Sequence, residues 1–232
     1  MKPFKLGFAV ALVLAAMPLA ASAQDAAEEE ASSPWSLSYG ATTDYVWRGI
    51  SQSDENPAFQ AGLTYTSPVG VYAGFWGSTV DFGDGGTEND WFLGYNTDIG
   101  ESFNLDVMYN YYSYPGKKNT GDFGELIVKG TVFDHYSATV AYSDSFANTK
   151  GSSVYYALGG EWELPADFGI GVGVGRSTFD SKVGIEDYTD WSVSLSKSFG
   201  PATLALGYTD TNVKGDPLAD DRFFASITVE VP

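Results

Sequence analysis

The sequence predicts an all-β protein: a transmembrane antiparallel up-and-down β-barrel of about 12 strands. Three observations lead to this prediction. Apolar residues alternate with small or polar ones from Trp35 almost to the C-terminus, as in strands with two different faces. Tight turns alternate with longer polar loops, and aromatic residues gather toward the strand ends, which is typical of outer-membrane barrels.

The first residues predict export. Two lysines, an apolar run and a closing Ala-Ser-Ala triplet make up residues 1–23, the pattern of a secretory signal peptide. Residues 24–34 are acidic and lack large apolar side chains, which predicts a flexible periplasmic segment. The barrel is expected to occupy residues 35–232.

The first strand alternates most clearly. One face begins at Trp35 and ends at Tyr45 and Trp47, while the other ends at Asp44 and Arg48. We expect the two rings to face the lipid interface and the two charges to face an aqueous lumen. About four residues of extended chain hold the charges about 13 Å apart, so each is expected to find a partner on a neighbouring strand.

The same period returns along the rest of the chain. A glycine alternation from Gly169 to Gly175 lies opposite apolar residues; glycine weakens a solvated strand but suits a curved or crowded lumen wall. The predicted strands are 35–50, 58–67, 70–80, 88–98, 103–114, 123–133, 136–144, 153–164, 168–177, 188–199, 202–211 and 221–231.

The connections divide into two classes that predict two different ends. Tight turns follow every even-numbered strand, and longer polar loops follow every odd-numbered one. The loops are 51–57, 81–87, 115–122, 145–152, 178–187 and 212–220. In outer-membrane barrels the short turns face the periplasm and the long loops face outside. An even strand count then places both chain ends on the periplasmic side.

Alternation of apolar and polar residues does not by itself show which face is inside, because a soluble sandwich or lipocalin-like barrel has a similar sequence pattern. The glycine run, the scarcity of lysine and arginine along the strands and the aromatic strand ends favour the membrane barrel. Lys197 is the basic residue on a predicted lipid face. It lies next to a tight turn, where it is expected to snorkel to the headgroups.

Composition excludes several classes of function. Twelve basic residues oppose thirty acidic ones, for a formal net charge of −18, which argues against nucleic acid or anionic lipid as the main partner. The chain has no cysteine, so it forms no disulfide or thiolate metal site. No cofactor is expected.

No catalytic residue and no metal site are predicted. The single histidine, His135, falls in a tight turn and lacks the partners that hydrolase or zinc chemistry requires. Asp81, Asp84, Glu88 and Asp90 are interpreted as acidic loop residues in solvent, in preference to a calcium site, because their spacing matches no established calcium loop.

Charged residues on the predicted inner face are the candidate pore-lining set: Asp44, Arg48, Asp106, Glu125, Lys129, Glu161, Glu163, Arg176 and Asp190. They either fill the lumen as cross-strand pairs or line a water-filled passage and set its ion preference. The acids in this set outnumber the bases, which favours cations or neutral solutes.

Several segments resemble the TorF family of proteobacterial porin-like proteins, which is also catalogued as an outer-membrane family of unknown function. The resemblance is carried by DYVWRGISQSDENPAFQAGLTYTS (44–67), VYAGFWGSTVDF (71–82), LGYNTDIG (93–100) and YYSYPG (111–116), and continues as pattern in 122–130 and 140–146. Asp44, Tyr45, Trp47, Arg48 and Gly49 carry its most specific motif. The resemblance implies an outer-membrane barrel that passes small solutes, and it assigns no catalytic residue.

Three functional hypotheses follow. The first is a porin-like channel in the Gram-negative outer membrane for passive diffusion of small hydrophilic solutes or ions. The second is a structural or adhesive barrel with a plugged lumen, and the third is a soluble periplasmic barrel that binds an apolar ligand. The expected partners of the channel are outer-membrane lipid, lipopolysaccharide and small solutes, with no nucleic acid; the choice between monomer and homo-oligomer stays open.

Overall fold

The computed structural model describes residues 33–83, 85–116 and 121–232; the predicted signal peptide lies outside them. Fourteen strands are present in these ranges: β1 (Trp35–Thr42), β2 (Val46–Trp47), β3 (Ile50–Ser51), β4 (Ala58–Thr66), β5 (Val71–Val80), β6 (Gly86–Ile99), β7 (Phe103–Ser113), β8 (Phe123–Val132), β9 (Tyr136–Ser143), β10 (Ser153–Leu164), β11 (Phe168–Phe179), β12 (Tyr188–Phe199), β13 (Ala202–Thr211) and β14 (Arg222–Val231). Two turns of 3₁₀ helix occur at Phe146–Asn148 and Pro217–Ala219. Among the described residues, no helix has the length and apolar character needed to cross a membrane.

Twelve of these strands close a barrel in chain order. Each pairs antiparallel with its neighbours, and β1 completes the ring by pairing with both β4 and β14. Thr42 at the end of β1 lies opposite Ala58 at the start of β4, and Leu37 lies opposite Val231. The predicted closed, up-and-down antiparallel barrel of 12 strands is therefore confirmed. Strands β2 and β3 are not part of the barrel wall and form a separate two-stranded sheet.

The outer face of the barrel is apolar, whereas the inner face carries charged and polar residues together with a buried apolar cluster that includes Trp76, Met108 and Ile127. Leu158 and Leu206 on the outer face are each 63% exposed, whereas Glu125 and Asp90 on the inner face are 0% and 2% exposed. A water-soluble barrel has the opposite arrangement, with its apolar side chains in the core.

Aromatic pairs lie on the outer face toward both ends. Trp35 packs on Tyr65 with ring centroids 5.0 Å apart near the short turns, and Tyr208 packs on Phe223 at 4.7 Å near the long loops. Lys197 lies over the rings of Phe168 and Phe199.

The short turns are tight hairpins built on left-handed backbone. Phe133 and Asp134 have φ of 54° and 58°, and Ala166 and Asp167 have φ of 62° and 56°, as required by two-residue turns that match the strand twist. His135 is exposed at the first of these turns, where the sequence predicted it. The Lys197 amine reaches the other turn and bonds the Ala166 carbonyl oxygen and the Asp167 carboxylate.

The first strand differs from its prediction. It was expected to run from residue 35 to residue 50, but β1 ends at Thr42 and residues 43–57 turn into the barrel before the chain returns at Ala58. We call residues 43–57 the closing segment. Its backbone is not extended throughout, because Arg48 has a φ of 49° and Gly49 a φ of 80°. Tyr45 is 3% exposed, so its predicted place at the lipid interface is wrong.

Candidate functional site

The lumen has two different halves along the barrel axis. The long-loop half holds the closing segment and the inner-wall residues that contact it, and its side chains are almost all buried. Within residues 33–83, 85–116 and 121–232, no segment enters the short-turn half, and most of its inner-wall polar residues are half-buried or exposed.

Arg48 is the central charge of the long-loop half. Its guanidinium lies between the rings of Trp47 and Tyr155, at 4.1 and 4.2 Å from their centroids. Its Nη1 and Nη2 donate to the two carboxylate oxygens of Glu125 at 3.0 and 2.8 Å. The hydroxyl of Tyr112 donates to Glu125 Oε2 at 3.1 Å. This planar, two-pronged geometry is the strongest form of a carboxylate–arginine pair.

The pair is almost completely removed from solvent. Arg48 is 4% exposed and Glu125 is 0% exposed. Burial on its own would lower the pKa of the Arg48 guanidinium, but the adjacent Glu125 carboxylate raises that pKa above its ordinary value. Arg48 therefore keeps its charge across the whole physiological range, and the two groups form a fixed ionic link between the closing segment and β8.

Asp44 makes a second ionic link, on the other side of the lumen. Its Oδ1 accepts hydrogen bonds from Ser51 Oγ at 2.6 Å and Ser53 Oγ at 3.0 Å. Its Oδ2 accepts from Arg222 Nη1 of β14 at 3.0 Å. Asp44 and Arg48 thus have separate partners on two different wall strands, and neither belongs to the wall itself. The expected partner on a neighbouring strand is found for Asp44, on β14, but Arg48 pairs with β8 across the barrel.

Tyr45 connects the closing segment to β6. Its hydroxyl donates to Glu88 Oε1 at 2.6 Å, and the hydroxyl of Tyr114 donates to Glu88 Oε2 at 2.5 Å. Burial, with the nearby Glu88 and Asp90 carboxylates, raises the pKa of Tyr45 well above its ordinary value, so the phenol is a neutral donor. Asn110 Nδ2 donates to Asp90 Oδ2 at 3.0 Å.

The placement of Glu88 and Asp90 corrects the sequence interpretation. They were expected in a solvated acidic loop, but β6 begins at Gly86 and both side chains face the lumen at 2% exposure. The predicted strand already began at residue 88, and β6 begins two residues earlier. Gly86 to Asp90 pair with Trp76 to Val80 of β5, so both carboxylates belong to the wall and not to a loop.

Aromatic and steric contacts complete the closure. Trp47 stacks on Phe146 with centroids 6.2 Å apart, and Tyr45 meets Trp76 edge-on at 5.6 Å. At the tip of the segment, a Cβ on Gly49 would lie 2.4 Å from Thr211 Cγ2 and 2.9 Å from Asp190 Cβ. The closing segment therefore contacts opposite sides of the wall, from β5, β6 and β8 to β12, β13 and β14.

The short-turn half has a looser polar network. Asp106 accepts hydrogen bonds from the Tyr72 hydroxyl at 2.7 Å and from Asn96 Nδ2 at 3.1 Å. Lys129 lies directly opposite Asp106 in the register of β7 and β8. Along β11 to β14 the inner wall carries small side chains instead: Gly169, Gly171, Ser194, Ser196, Thr203, Ala205, Ser226 and Thr228.

The predicted pore-lining residues fall into three groups. Asp106, Glu125, Lys129, Glu161, Glu163 and Asp190 lie on the inner face of the wall. Asp44 and Arg48 lie in the closing segment. Arg176 is a wrong assignment: it shares the outward parity of Val172 and Val174, is exposed, and pairs with Asp187 at 3.6 Å.

Sequence reasoning misplaced or missed several residues of this site. Tyr45 and Trp47 were expected at the lipid interface and Glu88 and Asp90 in a loop, and all four expectations are wrong. Four further residues were not singled out: Tyr112, Tyr114, Tyr155 and Arg222. Arg222 carries a usable signal, because it opens the last strand on the small and polar face. Nothing in the local pattern indicates that it meets Asp44, which lies 178 residues away.

A bacterial family model described as a protein of unknown function, Gcw_chp, matches residues 28–228. The chain belongs to that family. Sequence comparison with curated proteins finds no significant match.

Solved structures resemble the chain at the level of the fold. The structure titled "KdgM porin" has a TM-score of 0.57 at 10% identity, covering 84% of this chain and 98% of that chain. "KdgM porin in complex with disordered oligogalacturonate" has a TM-score of 0.56 at 11% identity, with the same two coverages. A NanC porin structure has a TM-score of 0.55 at 10% identity, covering 84% and 97%. At these identities the likeness concerns the barrel architecture.

Proposed function

We propose that this member of the Gcw_chp family is an outer-membrane porin-like channel through which small hydrophilic solutes or ions diffuse. The observation that carries the proposal is the inside-out wall, with exposed leucines such as Leu158 and Leu206 outside and charged groups such as Glu125 and Lys129 inside. Such a wall suits lipid on one side and water on the other.

The outer face supports residence in a bilayer. Apolar side chains cover the middle of the strands, aromatic pairs lie toward both ends, and the Lys197 amine reaches past the apolar band to a turn. In a water-soluble protein a continuous apolar belt of this kind would drive association. The third hypothesis, a soluble barrel with an apolar ligand inside, is disfavoured by the charged interior.

The short-turn half supports a passage for polar solutes. Asp106, Lys129, Glu161 and Glu163 face it from one side, and the small side chains of β11 to β14 leave room on the other. Its acids outnumber its single described lysine, so the passage is proposed to favour cations and neutral solutes over anions.

The finer identity rests on resemblance. The motif around Asp44 to Gly49 supports membership of the TorF family, and the N-terminal pattern of residues 1–23 supports export by a signal peptide. The barrel shape shared with porins that include the one solved with oligogalacturonate agrees with a solute channel. We extend that agreement to small hydrophilic solutes as a class.

The closing segment gives specific support to a second candidate, a structural or adhesive barrel with a plugged lumen. Its contacts with opposite walls leave the long-loop half filled with buried side chains, among them the Arg48–Glu125 pair. This candidate has the same fold and the same location as the channel, and it differs in predicting no conductance.

The deciding experiment is conductance of the purified, refolded chain in planar bilayers, with reversal potentials in a salt gradient. A channel gives discrete current steps with a preference for cations. A folded, heat-modifiable barrel that never conducts, even after removal of the closing segment, would refute the channel and favour the plugged barrel.

A further inference from the structure

We infer that the closing segment is a movable gate, latched by ion pairs to Glu125 and Arg222 on opposite walls, and that solutes cross the barrel when it leaves the lumen. This inference rests on the proposed channel function and assigns its regulation to residues 43–57. The structure shows the latched state.

The segment is attached so that it can leave as one unit. It starts after Thr42 and ends before Ala58, and these two residues lie opposite each other in the β1–β4 ladder. Both ends of the gate therefore leave the rim at one point, so an outward swing breaks no strand pairing of the wall. Strands β2 and β3 pair only with each other, so the gate keeps its own backbone bonds both inside the lumen and outside it.

Most of the latch consists of side chains. Arg48 binds Glu125 on β8, Asp44 binds Arg222 on β14, and Tyr45 binds Glu88 on β6. Two backbone bonds also join the gate to the wall, from Asp81 N to the Gln52 carbonyl oxygen and, at the start of the segment, from Thr43 N to the Ala225 carbonyl oxygen, both at 2.9 Å. On opening, the groups of such a latch can replace these bonds with hydrogen bonds to water.

The chemistry of the latch suits a reversible contact. The charged and hydrogen-bonding groups that the gate gives up on opening receive water from the vacated lumen. The rings of Tyr45 and Trp47 also give up their packing on Trp76 and Phe146. When an ion pair is buried, the free energy lost by dehydrating its two charges is as large as much of their Coulombic attraction. Rehydration of the charges on opening therefore offsets much of the attraction that is lost. A permanent plug would be held more firmly by apolar packing of similar volume.

Strained backbone conformation within the gate also favours its opening. Arg48, Asp54 and Glu55 have φ of 49°, 53° and 59°, in the left-handed region that side-chain-bearing residues seldom adopt. Such residues concentrate in switch regions, where the surrounding contacts hold them in place. For Arg48 those contacts are the latch itself, so release of the latch also releases its strained conformation. Asp54 and Glu55 lie in a turn held by bonds within the gate.

Single-channel recording of latch variants tests the gate. Glu125→Gln keeps the size of the side chain but removes its charge, and Arg48→Ala removes the other partner. We expect each to raise the open probability at least tenfold with the unit conductance unchanged. Arg176→Ala is the matched control, because it removes an arginine that also pairs with a carboxylate but on the outer face; it should leave the open probability as in wild type.

Two further variants keep the test decisive. The reversed pair Arg48→Glu with Glu125→Arg should return the open probability toward wild type. Replacement of residues 45–52 by glycine and serine, with Thr42 and Ala58 kept, should give a permanently open pore. Heat-modifiability on gels reports that each variant has folded.

The outcomes separate the gate from the channel. Steady wild-type conductance that no latch variant changes would overturn the gate and leave the channel in place. Absence of current in wild type, in the latch variants and in the glycine-serine replacement would overturn the channel, and the gate with it.

Discussion

The two halves of the lumen are lined by the same strands, with the same alternation, but they have opposite physical character. In the long-loop half, Arg48, Glu125, Glu88 and Asp90 are each between 0% and 4% exposed and are held by specific partners. In the short-turn half, Asp106 and Lys129 are half-buried, and small residues face them across the lumen. Charge in the first half fixes a structure, whereas charge in the second half faces the space where solutes would pass.

This difference comes from one segment. Without residues 43–57, Glu88, Glu125 and Arg222 would line a polar wall much like that of the short-turn half. With them, the same side chains become partners in desolvated bonds. The contrast between the halves is therefore a property of the closed state, and the variants below alter it by decreasing amounts.

The largest effect is expected from Glu125→Ala. It leaves the Arg48 guanidinium buried without its carboxylate, which costs the closed state about 3–5 kcal/mol. Trypsin cleavage after Arg48, followed by mass spectrometry of the folded barrel, reports the open fraction and should accelerate by about 10² to 4 × 10³-fold. Asp106→Ala, which removes a carboxylate from the short-turn half, should leave this cleavage rate nearly unchanged. Equal effects of the two substitutions would show that the halves do not differ as described.

Tyr45→Phe should have a smaller effect on the same cleavage. It removes one of the two hydroxyl donors to Glu88 and leaves Tyr114 as the remaining one. Hydrogen bonds to charged groups contribute about 1.5–3 kcal/mol, so cleavage after Arg48 should rise by about tenfold or more. Tyr156→Phe, at an exposed tyrosine of the outer face, is the control. A Tyr45→Phe rate that matches this control would remove Tyr45 from the latch.

Gly49→Ala tests the tip of the gate. The added methyl group would lie 2.4 Å from Thr211 Cγ2, and overpacking of this kind costs about 1–3 kcal/mol. Gly184→Ala separates this contact from backbone strain, because Gly184 has a similar φ of 77° but no atom within 4 Å of the added Cβ. We expect faster cleavage after Arg48 in the first variant alone. The same rate in both would mean that the tip does not pack on β13.

The smallest effect is expected from a substitution in the short-turn half. Lys129→Ala removes the lysine opposite Asp106 and should shift the reversal potential in a salt gradient further toward cations, with the cleavage rate unaffected. Arg176→Ala, on the outer face, should give no such shift. A change of cleavage without a change of selectivity would place Lys129 in the latch instead of the passage.

The strand pattern predicts the wall well and the gate poorly, for a physical reason. Alternation depends on each residue's own environment, so the twelve wall strands and the inward direction of Glu125, Lys129 and Asp190 follow from local sequence. The alternation continues formally through Asp44 to Arg48, and nothing local ends the strand at Thr42. Its end depends on bonds to Arg222, Glu125 and Glu88, residues that lie far away in the sequence. For Arg176 the local pattern is sufficient, because its outward parity with Val172 and Val174, and not its charge, indicates its direction.

The most direct test joins motion of the closing segment to conduction in one molecule. Val46 is 3% exposed in the closed state, and the chain has no native cysteine, so Val46→Cys introduces a single protected thiol. A bulky maleimide added during single-channel recording should react only when the segment is outside the lumen, and the labelled segment should then be unable to return. The account predicts slow, complete labelling, with each channel locking irreversibly open, while Glu186→Cys in an exposed loop labels at once without a change in current. Val46→Cys that stays unlabelled while channels open and close, or that labels without changing the current, would contradict it.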